Sequence, residues 1–317
     1  MLLVNNPGTW SAIWPPLRHA EWHGCTPTDL VFPFFLFIVG ITTELSRKEP
    51  LGILRRGTLI ILFGLLVNLF PYFKFDTLRW MGVLQRIGIV YILAALIAWR
   101  ASRRVIIAIT VIILLGYWLV MAHGPYEPPI ATVAAHVDRM LIPEAHMWKQ
   151  SKTWDPEGPL STIPAVATAL LGVLAARFVR EQKVKMLTMV GIAGIAVGWL
   201  WGLVFPVNKS LWTSSYVIYT AGWACVILAV WMWRAPARPF VVFGVNPLVA
   251  FVGSGMMARL LGIIKIGGVS LQQTIYRTLF KPYFPPQLAS FLYALLFVAV
   301  WWGILALLHR RNIILKV

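Results

Sequence analysis

Nine stretches of this chain are long and apolar enough to cross a lipid bilayer, and they leave little sequence for anything else. They run over residues 29–46, 51–69, 80–99, 105–122, 159–179, 184–205, 211–233, 240–262 and 288–308. A span needs about 20 apolar residues. Inside hydrocarbon each backbone N–H and C=O must be satisfied within the segment, so each run is expected as a helix. The fold class is therefore all-α, a polytopic transmembrane bundle of nine complete spans. Residues 1–5 read as the end of a further, truncated first helix. Of 317 residues only 12% are charged and 59% are hydrophobic, too greasy a balance for soluble domains. One membrane domain over 1–317 is expected, with outer loops 6–28, 123–158 and 263–287.

The formal net charge of +17 looks like that of a nucleic-acid binder, but its distribution argues otherwise. Alternate loops hold Arg47, Lys48, Arg55 and Arg56; Arg100, Arg103 and Arg104; Arg177, Arg180, Lys183 and Lys185; Arg234 and Arg238; and Arg310, Arg311 and Lys316. Against them stand only Glu44, Glu49 and Glu181. The positive-inside rule puts these loops and the C-terminus in the cytoplasm. No nucleic-acid partner is expected. Tryptophans near the span ends, among them Trp80, Trp118, Trp199, Trp201 and Trp212, read as an aromatic belt.

Charge within a span needs a partner or a function. Arg86, preceded by Gln85, lies about two turns below the outer end of its helix. Two readings stay open: a buried ion pair with Asp29, Asp155 or Glu157, or a cavity wall that binds an anion such as phosphate. Asn246 precedes Pro247 inside another span, where it satisfies a proline kink or touches a ligand. Asp155 and Glu157 open the helix at 159, either complementing its N-terminus or meeting a cation at the site. Asn208 and Lys209 form a tight outer turn.

The loop before the first span holds Arg18, His19, Glu21, His23 and Cys25, then Asp29 at the helix start. His19 and His23 have the spacing of a helical metal pair. Pro15, Pro16, Gly24 and Pro27 oppose a long helix there, and no second cluster completes a site, so no metal is expected. A histidine at the mouth of a bundle can instead take a proton from an amine or hydroxyl. No serine elbow or phosphate-binding glycine loop competes with it.

These polar pieces resemble, in order and along nearly the whole chain, the heparan-alpha-glucosaminide N-acetyltransferase family and its bacterial relatives, within the transmembrane acyltransferase superfamily. The stretches that carry the resemblance are Val4-Asn5, His19 to Gly24, Asp29 to Pro33, Gly82 to Gly88, Asp155 to Gly158, Pro206 to Trp212 and Gly244 to Asn246. The resemblance implies acetyl transfer across a membrane, from cytoplasmic acetyl-CoA to an amino sugar or related glycan outside. It makes His19 catalytic, as a general base or as the acetyl carrier, with Asn5 polarising the thioester carbonyl or orienting the ring. Asp29, Gln85, Arg86, Asp155, Glu157, Asn208, Lys209 and Asn246 become candidates for binding substrate, with Arg86 and Asn246 expected to line the path of CoA.

Family members begin with a complete first helix after a short Asp- and Arg-containing motif, whereas this sequence starts inside that helix. It has no counterpart of the lysosomal enzyme's large lumenal N-terminal domain, so a bacterial inner (cytoplasmic) membrane is the expected location. The lipid bilayer and a second copy of the chain complete the expected partners. Two alternatives remain: an O-acyltransferase of envelope glycan or lipid, and a non-enzymatic transporter or flippase, against which the lack of an internal repeat counts.

Overall fold

A computed structural model describes residues 1–46, 48–234 and 238–315, with Arg238 and Pro239 as backbone only. Of the basic loop residues, Arg47, Lys316 and the side chain of Arg238 thus lie outside the described residues. The chain is a helical bundle. After the short α1 (Leu2–Asn5), its long helices are α2 (Val31–Leu45), α3 (Pro50–Leu69), α4 (Val83–Arg100) and α5 (Arg103–Met121). A short α6 (Val133–Leu141) precedes α7 (Pro159–Arg180), α8 (Val184–Trp201) and α9 (Ser214–Arg234). The remainder comprises α10 (Arg238–Val245), α11 (Pro247–Ile263), α12 (Leu271–Leu279) and α13 (Pro286–Arg310). Among the described residues eight helices are long and apolar enough to cross a membrane, and α11 is a shorter apolar helix.

The span expected over 240–262 is broken at Asn246. Pro247 occupies the first helical position, where its missing N–H costs nothing, and the Asn246 carbonyl opens the new helix by accepting from Ala250 N. Elsewhere the ends follow local chemistry. Proline starts α3, α7 and α13, and Ser102, Thr132 and Ser270 cap α5, α6 and α12 by accepting backbone N–H bonds.

The centre of the bundle is the crossing of α2 and α7. A Cβ on Gly40 would collide with the carbonyl of Ala169, and one on Gly172 with the carbonyl of Phe37. Bare glycines therefore let the two backbones touch. Helices in lipid lack a hydrophobic drive to associate and depend on such close packing. Helices α4 and α9 close around this pair, and Leu36, Val90, Leu170 and Tyr216 are fully buried between them. Trp212, expected in the interfacial belt, is buried too. Its ring meets Phe32 and Tyr216 edge to face and its indole N–H donates to Thr168 Oγ1 at 3.0 Å.

One end of the bundle, where α2, α4, α7 and α9 begin, gathers the long loops. The 123–158 loop carries α6, and the 263–287 loop carries α12 and a small antiparallel ribbon, Lys265–Ile266 with Val269–Ser270. The candidate site forms at this end.

Candidate functional site

Asp29 sits in the 3-10 turn Pro27–Leu30 that leads into α2. Thr26 and Asp29 form a capping box, so Asp29 Oδ2 accepts from Thr26 N at 3.1 Å and Thr26 Oγ1 at 3.0 Å. The same oxygen accepts from Ala20 N at 2.9 Å, which folds the histidine loop back over the turn. Tyr216 of α9 donates its hydroxyl to the Asp29 carbonyl at 2.6 Å. Held this way and 1% exposed, Asp29 presents Oδ1 to His19 Nδ1 at 2.6 Å.

Lys209, from the α8–α9 turn, completes the group. Its Nζ lies 3.0 Å from His19 Nδ1, 3.5 Å from Nε2 and 3.5 Å from Asp29 Oδ1. Nδ1 cannot both donate to Asp29 and accept from Lys209. The shorter, charge-assisted bond decides it: Nδ1–H donates to Asp29, and the Lys209 ammonium rests against the ring. His19 Nε2 therefore keeps a lone pair, on a side chain 46% exposed. Burial lowers the Lys209 amine from its ordinary value, opposed by the charge of Asp29. Burial pushes the neighbouring Cys25 thiol up to about 12, with Asp29 adding to the effect, so this cysteine is no thiolate at neutral pH.

Asn208 anchors the turn that delivers Lys209. It is fully buried, its Oδ1 accepts from Leu211 N at 2.8 Å, and its Nδ2 lies 3.3 Å from His23 Nδ1. His23 Nε2 is 3.4 Å from Glu127, so His19 and His23 turn to different partners.

Arg79, which the sequence reading passed over as a loop residue, takes the carboxylates expected for Arg86. Its Nε donates to Asp155 Oδ2 at 2.9 Å, and its Nη2 reaches both Asp155 and Glu157. The signal was present: two acids open α7 and need a cation, and Arg79 lies only just outside the α4 span. Glu157 also acts electrostatically on Lys209, tying the Arg79 cluster to the histidine group.

Arg86 is completely buried and is not on the wall of the cavities described below. It donates to Ser161 Oγ, to Thr162 Oγ1 at 3.2 Å and to the Gly158 carbonyl, and stacks on Trp212 at 5.0 Å. It thus clamps α4 to the start of α7, while its Nη1 is buried with no hydrogen-bond partner. Asn246 is likewise off the walls of the cavities described below, although its neighbours Val245 and Pro247 line the second of them. Its Nδ2 donates to the Ile313 carbonyl and its Oδ1 accepts from Leu315 N, so it pins the C-terminal segment.

No hydrogen bond joins Asn5 to His19 among the described residues. Asn5 lines a central cavity of about 370 Å³ with Asn68, Arg79, Gln85, Ser254 and Arg259. His19 is not on its wall. A second cavity of about 390 Å³ opens toward the opposite end past Thr42, Ser46, Lys48, Arg56 and Tyr91, and both share Met1, Leu84 and Phe251. The two together span the bundle between α3, α4 and α11.

A helical membrane bundle with a carboxylate-held histidine in the loops at one end, and with cavities between its helices, defines the class: a polytopic membrane protein with a polar site in its loops. The chain belongs to the family described as heparan-alpha-glucosaminide N-acetyltransferase, catalytic, whose model matches residues 15–212. That stretch includes His19, Asp29, Arg86, Asp155, Glu157, Asn208 and Lys209, and excludes Asn5 and Asn246. Human and mouse heparan-alpha-glucosaminide N-acetyltransferase are each 26% identical to it over 321 aligned positions, covering 74% of this chain and 48% of theirs. The chain spans about half the length of these curated relatives.

Proposed function

We propose that the protein is a transmembrane acetyltransferase, taking the acetyl group of cytoplasmic acetyl-CoA and delivering it to an amino sugar or related glycan on the extracytoplasmic side. The observation that carries this reading is the Asp29–His19 bond. A buried carboxylate orients the ring and leaves Nε2 free to act as a base in an accessible loop.

Nε2 removes a proton from the acceptor ammonium, the freed amine attacks the thioester carbonyl, and the departing CoA sulfur takes up a proton. Asp29 stabilises the imidazolium formed in between, and Lys209 offers a cation to charge building on the carbonyl oxygen. The central cavity, with Asn5 on its wall, and the opposite cavity, with Lys48 and Arg56 at its mouth, give the donor a route. On the positive-inside rule that mouth is cytoplasmic and the histidine end faces outward. The location that fits is a bacterial inner membrane, with one membrane domain over the chain and a second copy as a partner.

Purified protein given acetyl-CoA and glucosamine releases free CoA and forms N-acetylglucosamine if the reading is correct. An O-acetylated product alone, or no CoA release, contradicts it; a transporter without chemistry gives the latter.

A further inference from the structure

A third cavity, of about 480 Å³, lies at the histidine end between the finish of α3 and the finish of α11. Its wall holds Lys74, Arg79, Lys149 and Arg259, together with Phe70, Tyr72 and Trp148, and no carboxylate among the described residues. Arg79 is neutralised by Asp155 and Glu157. Lys74, Lys149 and Arg259 are not: the Arg259 guanidinium donates to the Phe70 carbonyl at 2.7 Å, and no carboxylate forms an ion pair with any of the three among the described residues. Asp76, on the same loop, is exposed and off the wall. Three cations around one concavity raise a positive potential that an anion would relieve.

Two further features narrow the ligand. The cavity shares Asn68, Arg79 and Arg259 with the central cavity, so an anion held here is continuous with the space lined by Asn5. Its rim is apolar: Tyr72, Phe73 and Phe75 beside it on one side, and Ile264 and Ile266 beyond Ile263 on the other, are largely exposed. Aromatic residues at the end of a span mark the lipid interface, and Lys and Arg side chains gathered there can hold a phosphate by charge-assisted hydrogen bonds.

We propose that this cavity binds the phosphate of a lipid-anchored acceptor, with its lipid chain leaving past the Tyr72–Phe75 and Ile264–Ile266 rim and its amino sugar directed past Arg79 and Glu157 toward Lys209 and His19. The proposal rests on the acetyltransferase reading and specifies its acceptor as a phosphate-linked glycolipid.

The test compares three acceptors in detergent by CoA release: glucosamine joined to a hexadecyl chain through a phosphodiester, the uncharged hexadecyl glucosaminide, and glucosamine 1-phosphate without a chain. The phosphodiester lipid is expected to exceed both others in kcat/KM by about 30-fold, the scale of charge-assisted phosphate contacts. The double substitution Lys74→Glu, Lys149→Glu, at exposed positions outside the packed core, reduces that preference to about threefold or less. Equal kcat/KM for the charged and uncharged lipids overturns the proposal. Equal kcat/KM for glucosamine 1-phosphate and the phosphodiester lipid overturns the lipid source.

A binding arm keeps the site separable from the chemistry. Native mass spectrometry should show phosphatidylglycerol retained in preference to phosphatidylcholine, and retention lost in the double variant. Retention without CoA release from any acceptor supports the phosphate site and sinks the acetyltransferase reading. No preferential retention overturns the site.

Discussion

Asp29 and His19 face each other at 2.6 Å, and Asp29 is held by four other hydrogen bonds, three to its carboxylate and one to its backbone carbonyl. Its second oxygen accepts from Ala20 N, Thr26 N and Thr26 Oγ1, and Tyr216 grips its carbonyl. A group so constrained cannot follow the imidazole; the imidazole must follow it. Asp29→Asn preserves size but presents an amide where a carboxylate stabilised the imidazolium. CoA release should fall by about 10²- to 10⁴-fold, the range for losing an oriented general base. Steady-state kinetics on folded, monodisperse protein check this.

Arg86 is a clamp, and its loss should be seen in stability before catalysis. Arg86→Lys keeps the charge but cannot reach Ser161, Thr162 and the Gly158 carbonyl together, nor stack on Trp212 in the same way. Each lost hydrogen bond to a buried charge costs about 1.5–3 kcal/mol. Thermal unfolding in detergent should show a lowered midpoint, with KM for acetyl-CoA unchanged in the folded fraction. A raised KM at unchanged stability would return Arg86 to the donor path.

Asp138 of α6 gives the fold a pH dependence. Burial pushes its carboxyl up to about 7, with the nearby Asp155 charge adding to the effect, against an ordinary value of 3.8. It accepts from Asp155 N, while Oδ1 has no partner. The folded state therefore holds a proton between these values that the unfolded chain has released. The stability so contributed is fully present below about pH 4 and is lost as pH rises through about 7. From pH 5 to 8 the loss is about 3 kcal/mol. Asp138→Asn should flatten that part of the stability profile, read as unfolding midpoint against pH.

Gly40 and Gly172 make the α2–α7 contact possible. Gly40→Leu forces a side chain into the Ala169 carbonyl, and overpacking costs about 1–3 kcal/mol or more where backbone is the obstacle. The monodisperse fraction on size exclusion should drop sharply. The same change at Gly116, where a Cβ meets nothing within 4 Å, should be tolerated.

The spans were legible because lipid imposes length and apolarity on every helix, but at Asn246-Pro247 the sequence suggested only a kink within one span over 240–262, where the chain breaks into α10 and α11. The site was legible only in part. Sequence placed His19 and Asp29 in one short stretch, but their bond depends on a loop folding back through Ala20 and Thr26. Lys209 meets His19 only because the α8–α9 turn is packed beside the start of α2, and nothing local encodes that approach. Arg79 was missed for a related reason. It sits outside the spans, where arginine is ordinary, and only the buried Asp155 and Glu157 reveal its role. Trp212 misled in the opposite direction, since a tryptophan near a span end looks interfacial until its neighbours bury it.

The central claim is that His19 is the base of an acetyl transfer. Its most direct test is CoA release from acetyl-CoA and glucosamine by purified His19→Ala protein, with thermal unfolding measured on the same sample. The account predicts at least a 10³-fold loss of rate with an unfolding midpoint close to that of the parent protein. A folded His19→Ala protein that still transfers acetyl at the parental rate would contradict it.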